Sequence, residues 1–181
     1  MMKASHIFLR PDIERDDAYH IIRWLNDRDV TKSLHEGKHT GEAVRQALER
    51  CPLPTLTHLF NQDGALFMVC PPGGAPVGFL RLEKRGALAG VVVVIGEKRQ
   101  WGRGMGTAAV MHALRHAFFT WRTDRVAANI HPQNTRSIRA FQALGFSSRP
   151  ENTACIQMEL TLRQYLDGLE EENERQSVIG E

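Results

Sequence analysis

The sequence predicts an α+β fold in which a sheet containing antiparallel hairpins packs against helices. Three observations carry that prediction. Two strand-like runs, Leu66 to Cys70 and Val77 to Leu82, are separated by Pro71-Pro72-Gly73-Gly74, a strong turn signal. Val91 to Ile95 is a run of five β-branched residues without polar alternation, as in a central strand covered on both faces. From Thr107 the hydrophobic period changes to Val110, Leu114, Ala117, Phe118 and Trp121, which form one stripe of a core-packed helix.

In chain order, His6 to Leu9 reads as a short strand ending at Arg10-Pro11, and Asp16 opens an amphipathic helix carrying Ile21, Ile22, Trp24 and Leu25. A second helical piece is expected from Asp29 to Leu34. A third runs from Glu42 to about Arg50, entered through Thr40-Gly41 and closed by Cys51-Pro52, and the three should pack together. After the hairpin, Lys84-Arg85-Gly86 turns the chain into a third strand, Gly90 to Ile95. Beyond the core helix come a strand over Arg125 to Ile130, a helix over Asn134 to Leu144 stopped by a left-handed Gly145, and a strand over Ala154 to Leu160. Thr161-Leu162-Arg163-Gln164 fits the capping box of a last helix. The acidic run Glu170, Glu171, Glu172 and Glu174, followed by Arg175 to Glu181, is expected to be a solvated, fraying tail. The expected division is one domain over residues 1–161, with a helix and tail over 162–181.

Composition narrows the function. With 181 residues, 42% apolar and 24% charged, the chain can bury the core of one domain. Its 23 Lys plus Arg against 21 Asp plus Glu leave a net charge of +2, far from the one-sided field of a nonspecific nucleic-acid binder, so no nucleic-acid partner is expected. The run Val91 to Ile95 is much shorter than the roughly 20 residues of a spanning helix, and Met1 to His6 has no apolar signal core, so the chain reads as cytoplasmic, without a membrane partner. Cys51, Cys70 and Cys155 are odd in number and far apart, which suits reduced, buried thiols rather than a disulfide scaffold or zinc ribbon. His112 and His116 have metal-ligand spacing, but Ala113 stands where the general-base Glu of that motif belongs, and no metal is expected.

The informative segment is Gly96-Glu97-Lys98-Arg99-Gln100-Trp101-Gly102-Arg103-Gly104-Met105-Gly106-Thr107, between the apolar strand and the core helix. Glycines at alternate positions let the backbone approach a ligand closely, and the helix start that follows favours an anion, so a pyrophosphate is the natural guest. The dinucleotide fingerprint would need Gly where Thr107 stands, and the P-loop Gly-Lys-Ser/Thr is absent. Without a ligand, the same segment would be a glycine-rich turn.

Trp101-Gly102-Arg103-Gly104-Met105-Gly106 resembles the Gln/Arg-x-x-Gly-x-Gly/Ala phosphate loop of the GCN5-related N-acetyltransferases, the GNAT family, in the Trp-Gly-Lys/Arg-Gly form of its ribosomal-protein and polyamine branch. Asn134-Thr135-Arg136-Ser137 through Phe141 to Gly145-Phe146 is similar to the family's Asn-x-x-Ser/Ala-x-x-x-Tyr-x-x-x-Gly-Phe helix, and Arg23-Trp24-Leu25-Asn26-Asp27 resembles a segment of its sugar-amine, aminoglycoside and polyamine enzymes. The resemblance covers about residues 6 to 160. It implies an α/β/α sandwich with a mixed, mostly antiparallel sheet, splayed between two middle strands that end near Ile95 and Ile130 to admit acetyl-coenzyme A. The implied activity is acetyl transfer to a primary amine of a small molecule. A coenzyme A-binding regulatory module and an acetyltransferase of a protein N-terminus are the alternatives, and the oligomeric state, a homodimer included, is left open.

Site residues follow from both readings. The edge of Val93, Val94 and Ile95 is expected to pair with the pantetheine arm, and Asn134 to bond it from the other side, cap its own helix, or both. Trp101, Gly102, Arg103, Gly104, Met105, Gly106 and Thr107 are expected to hold the pyrophosphate, with Lys98, Arg99 and Arg103 beside the ribose 3′-phosphate. Ser137 and Phe141 should face the cofactor. The candidate bases are Glu83 and His131, ahead of Glu97. Phe141 replaces the family's tyrosine acid by a ring without hydroxyl, which leaves Ser137, one turn earlier, as the substitute donor. Trp24, Asn26, Asp27 and Asp29 are expected to line the pocket of a cationic amine.

Overall fold

The computed structural model describes residues 6–34, 41–149 and 155–179. Expectations for Met1 to Ser5, Thr40, Ala154 and Glu181 lie outside the described residues. The first half of the chain runs β1 (Phe8–Arg10), α1 (Arg15–Asn26), α2 (Arg28–Thr31), α3 (Gly41–Arg50), α4 (Thr57–Phe60), β2 (Gly64–Cys70), β3 (Gly78–Arg85) and β4 (Leu88–Ile95). The second half runs α5 (Met105–Arg115), β5 (Arg125–Ile130), α6 (Thr135–Ala143), β6 (Ser147–Arg149), β7 (Ile156–Thr161) and α7 (Leu162–Ile179).

The strands form one seven-stranded sheet in the order β1-β2-β3-β4-β5-β7-β6, antiparallel except where β4 lies parallel to β5. Alternation along each strand sends side chains to two cores. On one face Leu80, Leu82, Ala89, Val91, Val126, Met158 and Leu160 pack beneath α5 and α7. On the other face Leu66, Met68, Cys70, Phe79 and Val94 pack with Ile21, Ile22, Trp24 and Leu48 of the early helices. The expected stripe of α5 is buried at Val110, Leu114, Ala117 and Phe118, and a π-helical turn, His116–Thr120, extends the helix. His112 stays exposed, while the half-buried His116 ring sits edge-on to Phe67 and Trp121, and burial lowers its pKa.

Local sequence chemistry explains the helix ends. Glu14 and Asp17 form a reciprocal capping box at the start of α1. The Asp17 carboxylate also accepts from Arg10 at 2.7 Å, which ties β1 to the helix. Gly145 takes φ +87° after α6, as a left-handed stop requires. The Thr161–Gln164 box is present too, with Gln164 N–H donating to Thr161 Oγ1 and Thr161 N–H donating to Gln164 Oε1. Three expectations need correction. The second helical piece is only the single turn Arg28–Thr31, begun when Asp27 accepts from Asp29 N–H. The segment from Glu170, expected as a tail beyond the last helix, is helical to Ile179. β4 is central but not covered throughout: Val92, Val93 and Ile95 are half-buried because the sheet opens beside them. No helix among the described residues is long and apolar enough to cross a membrane.

Candidate active site

β4 and β5 share a ladder only over Leu88–Gly90 and Arg125–Ala127. Beyond it β4 stays in register with β3 up to Ile95, and β5 with β7 up to Ile130. The two halves of the sheet therefore diverge, and a cleft opens between them. It has two chambers of about 250 and 240 Å³ that share Ser33, Leu34, Val93, Val94, Asn134 and Ser137. The second chamber takes walls from both faces of the sheet, Arg81, Glu83, Val92 and Asn129 from one and Val91, Val93, Ala128 and Phe141 from the other. It is thus a passage through the sheet.

The glycine segment lies at the start of α5. Gly102 and Gly104 have φ +75° and +76°, a left-handed conformation that strains any side-chain-bearing residue there. Gly104 is the N-cap and provides no side-chain acceptor, so the first N–H groups of the helix, those of Met105, Gly106 and Thr107, are left for another partner. A Cβ on Gly106 would lie 3.6 Å from Ile95 Cγ1, which places this turn directly against the end of β4. Arg103 N–H donates to Gln100 carbonyl at 3.4 Å, and Arg99 and Arg103 are exposed beside it. Curved backbone donors at a helix start, set at the mouth of a cleft, suit a pyrophosphate.

Trp101 is tied to the strand edge. Ladder bonds alternate along an antiparallel pair, and Gly96 N–H donates to Val77 carbonyl, so the main-chain groups of Val94 face β3 while those of Val93 and Ile95 face the opening. The Trp101 indole N–H donates to Ile95 carbonyl at 2.6 Å, and the Arg136 guanidinium lies 4.4 Å above the indole ring. Val93 is therefore the residue whose edge an amide-bearing arm can meet. Across the cleft, Asn134 caps α6 by accepting Ser137 N–H at 3.2 Å, and Asn134 and Ser137 line both chambers.

The candidate acceptor residues lie elsewhere, with one exception. Trp24 is 2% exposed, stacks on Phe79, and presses on Gly96, where a Cβ would come within 2.1 Å of the indole. Its Nε1 donates to Glu97 Oε1 at 3.0 Å, and Arg23 donates to the same oxygen. Glu97 is thereby a clamp between α1 and the glycine segment. Lys98 bonds both Asp27 and Asp29 at 2.8 Å; that contact lowers the Asp27 pKa and raises that of Lys98. Asn26 is exposed, and of these residues only Asp29 lines the cleft, at its first chamber.

Of the two leading base candidates, Glu83 lines the second chamber and His131 lines neither. His131 Nδ1 accepts Gln133 N–H at 3.2 Å just beyond β5. Glu83 sits between arginines, with Oε1 3.1 Å from Arg81 Nε and Oε2 accepting from Arg85 at 3.0 Å. Phe141 is 4% exposed and meets Phe146 edge-on while still forming part of the chamber wall. Both tyrosines lie away from the cleft, Tyr19 exposed on α1 and Tyr165 packed on Phe118 and Phe119. Sequence reasoning passed over Arg81, Arg85, Asn129 and Gln157, which the structure puts in the second chamber. The alternation of Arg81, Glu83 and Arg85 along a strand was the available signal, since it sets all three on one face.

Comparison with known proteins gives this geometry a family. A curated relative, the uncharacterised N-acetyltransferase p20 of Bacillus licheniformis, is 23% identical over 137 residues, which is 74% of this chain and 75% of that one. The fold is similar to a spermidine N-acetyltransferase of Vibrio cholerae solved with CoA and spermine, with TM-score 0.73, 16% identity, and 90% and 99% of the two chains covered. It is also similar to an aminoglycoside acetyltransferase solved with coenzyme A, with TM-score 0.71, 16% identity, and 90% and 98% covered. The sequence model of the acetyltransferase (GNAT) domain matches residues 6–147. That match runs from β1 to the start of β6 and takes in the glycine loop, the divergent strands and the Asn134 helix, and on it the chain belongs to the GNAT acetyltransferase family.

Proposed function

We propose that the protein transfers acetyl from acetyl-coenzyme A to a primary amine of a small molecule, with both reactants held at once in the cleft. The observation that carries this reading is the passage through the sheet between β4 and β5. Two reactants entering from opposite faces can meet there without displacing each other. Acetyl-coenzyme A supplies a thioester: the amine nitrogen bonds to the carbonyl carbon, the C–S bond breaks, the thiolate departs and the nitrogen loses a proton. The solved neighbours crystallised with coenzyme A support this cosubstrate.

The chain's contribution is mainly placement. Backbone N–H groups from Met105 to Thr107 hold phosphate, Val93 offers a strand edge to the arm, and Asn134 faces that edge. Holding two reactants in near-attack geometry contributes roughly 7 to 11 kcal/mol. Glu83 is the carboxylate in the second chamber and the proposed proton acceptor, directly or through water; Ser137 offers a hydroxyl to the departing sulfur. Release of free thiol from acetyl-coenzyme A across a panel of amines tests the reading. Coenzyme A binding without release for any amine would mark a binding module instead.

Two expectations arise here. Asn134→Ala should raise the KM for acetyl-coenzyme A about tenfold, the scale of one buried hydrogen bond, and lower stability by about 1 kcal/mol through the lost cap. Asn134→Asp should keep the cap and still weaken cofactor binding; a stability loss without a KM change would reduce Asn134 to a cap. With Phe141 in the wall and no tyrosine in the cleft, turnover should rise with pH as the amine or a base deprotonates, without the fall near pH 10 that ionisation of a tyrosine acid would cause. Ser137→Ala should lower turnover without changing the shape of the pH profile, because an aliphatic hydroxyl does not ionise in this range; unchanged turnover would remove the serine as donor.

A further inference from the structure

The second chamber of the cleft carries positive charge at a defined place. Arg81, Glu83 and Arg85 project from one face of β3 and are paired with Val92, Gly90 and Leu88 of β4, where the ladder to β5 closes and the passage ends. Arg81 and Glu83 have side chains only 17% and 18% exposed, while that of Arg85 is 72% exposed. Among the described residues, Arg81 and Arg85 are the cations lining this chamber and Glu83 is its carboxylate; Asn129, Asn134 and Gln157 are neutral amides. Both Glu83 oxygens face guanidinium nitrogens, at 3.1 and 3.0 Å. In the first chamber, the carboxylate of Asp29 is bonded to Lys98, and Lys32 and Arg136 also line the wall. The excess continues over the same sheet face, where Glu159 has Arg149 at 3.1 Å and Arg125 at 3.9 Å.

A polycation would need carboxylates along this wall, and among the described residues each one, Asp29 and Glu83, already meets cations. We propose that Arg81, with Arg85 beside it, is a subsite for an anionic group on the acceptor, so that the acceptor is a small amine carrying a carboxylate or phosphate near its nitrogen. This rests on reading the cleft as the site of acetyl transfer. The planar guanidinium presents a fork of donors that matches either anion, and Glu83 fixes its orientation. Low exposure strengthens the interaction, because the field of a cation in a walled cleft is poorly screened. Gly90, directly opposite Glu83, leaves the floor open: a Cβ there would meet only Glu83 Cβ, at 3.8 Å. The acceptor's anion would then lie at Arg81 and Arg85 while its amine points along the passage toward Val93, so that Glu83 takes the amine's proton through water and not directly.

The test uses the full chain with amines matched in length, one bearing a carboxylate or phosphate and one neutral, plus spermidine as a cationic probe. Binding in the presence of coenzyme A is measured calorimetrically, and thiol release from acetyl-coenzyme A is measured in parallel. The anionic member should bind about tenfold or more tightly than its neutral partner, the size of one charge-assisted hydrogen bond, and spermidine should bind weakest. Arg81→Gln should collapse that ratio toward one, Arg81→Lys should retain part of it, and Arg85→Gln, at an exposed side chain, supplies a second variant if the first fails to fold. Equal binding of the matched pair, or tighter binding of spermidine, overturns the proposal. Selective binding without thiol release would instead overturn the transferase reading and leave the anion subsite standing.

Discussion

Gly106→Val is expected to leave the fold intact and to abolish most acetyl-coenzyme A binding. Gly106 is helical, and a Cβ there meets Ile95 Cγ1 at an ordinary 3.6 Å, so a side chain can start from this position without backbone strain. The added methyl groups cover the N–H groups at the start of α5, which phosphate must reach. At a ligand concentration one hundred times Kd, the wild-type fold should gain about 2.7 kcal/mol, which for a chain of this size is a melting shift of roughly 5 to 10 °C. The variant should shift by only about 1 °C, and its KM should rise by about two orders of magnitude, equivalent to about 3 kcal/mol. Gly104→Val, at φ +76°, should lose binding as well and also melt lower, because its backbone conformation is strained. An undiminished ligand-induced shift in both variants would remove the pyrophosphate from this loop.

The largest stability effect is expected at the contact between Trp24 and Gly96. Trp24→Ala removes an indole that is 2% exposed and stacked on Phe79, and should cost about 3 to 5 kcal/mol. Gly96→Ala puts a methyl within 2.1 Å of that indole and should cost about 1 to 3 kcal/mol as the ring is displaced. Because one residue fills the space the other leaves, the double variant should be more stable than the sum predicts, with a coupling of about 0.5 to 3 kcal/mol measurable by urea unfolding. Strict additivity would show that the two residues do not share that space.

Long elements with a clear period were legible in the sequence, and contacts made at a distance were not. α1, the β2–β3 hairpin, α5 and α6 follow from spacing, capping residues and turn glycines. α4 and β6, at four and three residues, are too short to show a period, and the π-helical turn continues the α5 stripe without a residue that marks it. Val91 to Ile95 reads as fully covered because an opening in a sheet comes from the divergence of two ladders, which no single strand records. In the site, the glycine loop and Asn134 were visible because backbone conformation and capping are local demands. Asp27, Asp29 and Glu97 looked like open carboxylates; Lys98, Arg23 and Trp24 engage them across a fold whose pairings spacing does not reveal.

The short parallel ladder between β4 and β5 also bears on how the chain assembles. β2, β3 and β4 pair with sequence neighbours through tight turns, so their registers close small loops, and β5 gains its antiparallel partner β7 after a single intervening helix and edge strand. Joining the two groups requires the whole α5 crossover to be in place and is rewarded by only three residue pairs. Loop-closure entropy makes such a non-local step slow relative to hairpin formation. On this topology the union of the two half-sheets is the late event of folding, and the cleft is shaped last, when α5 seats against both.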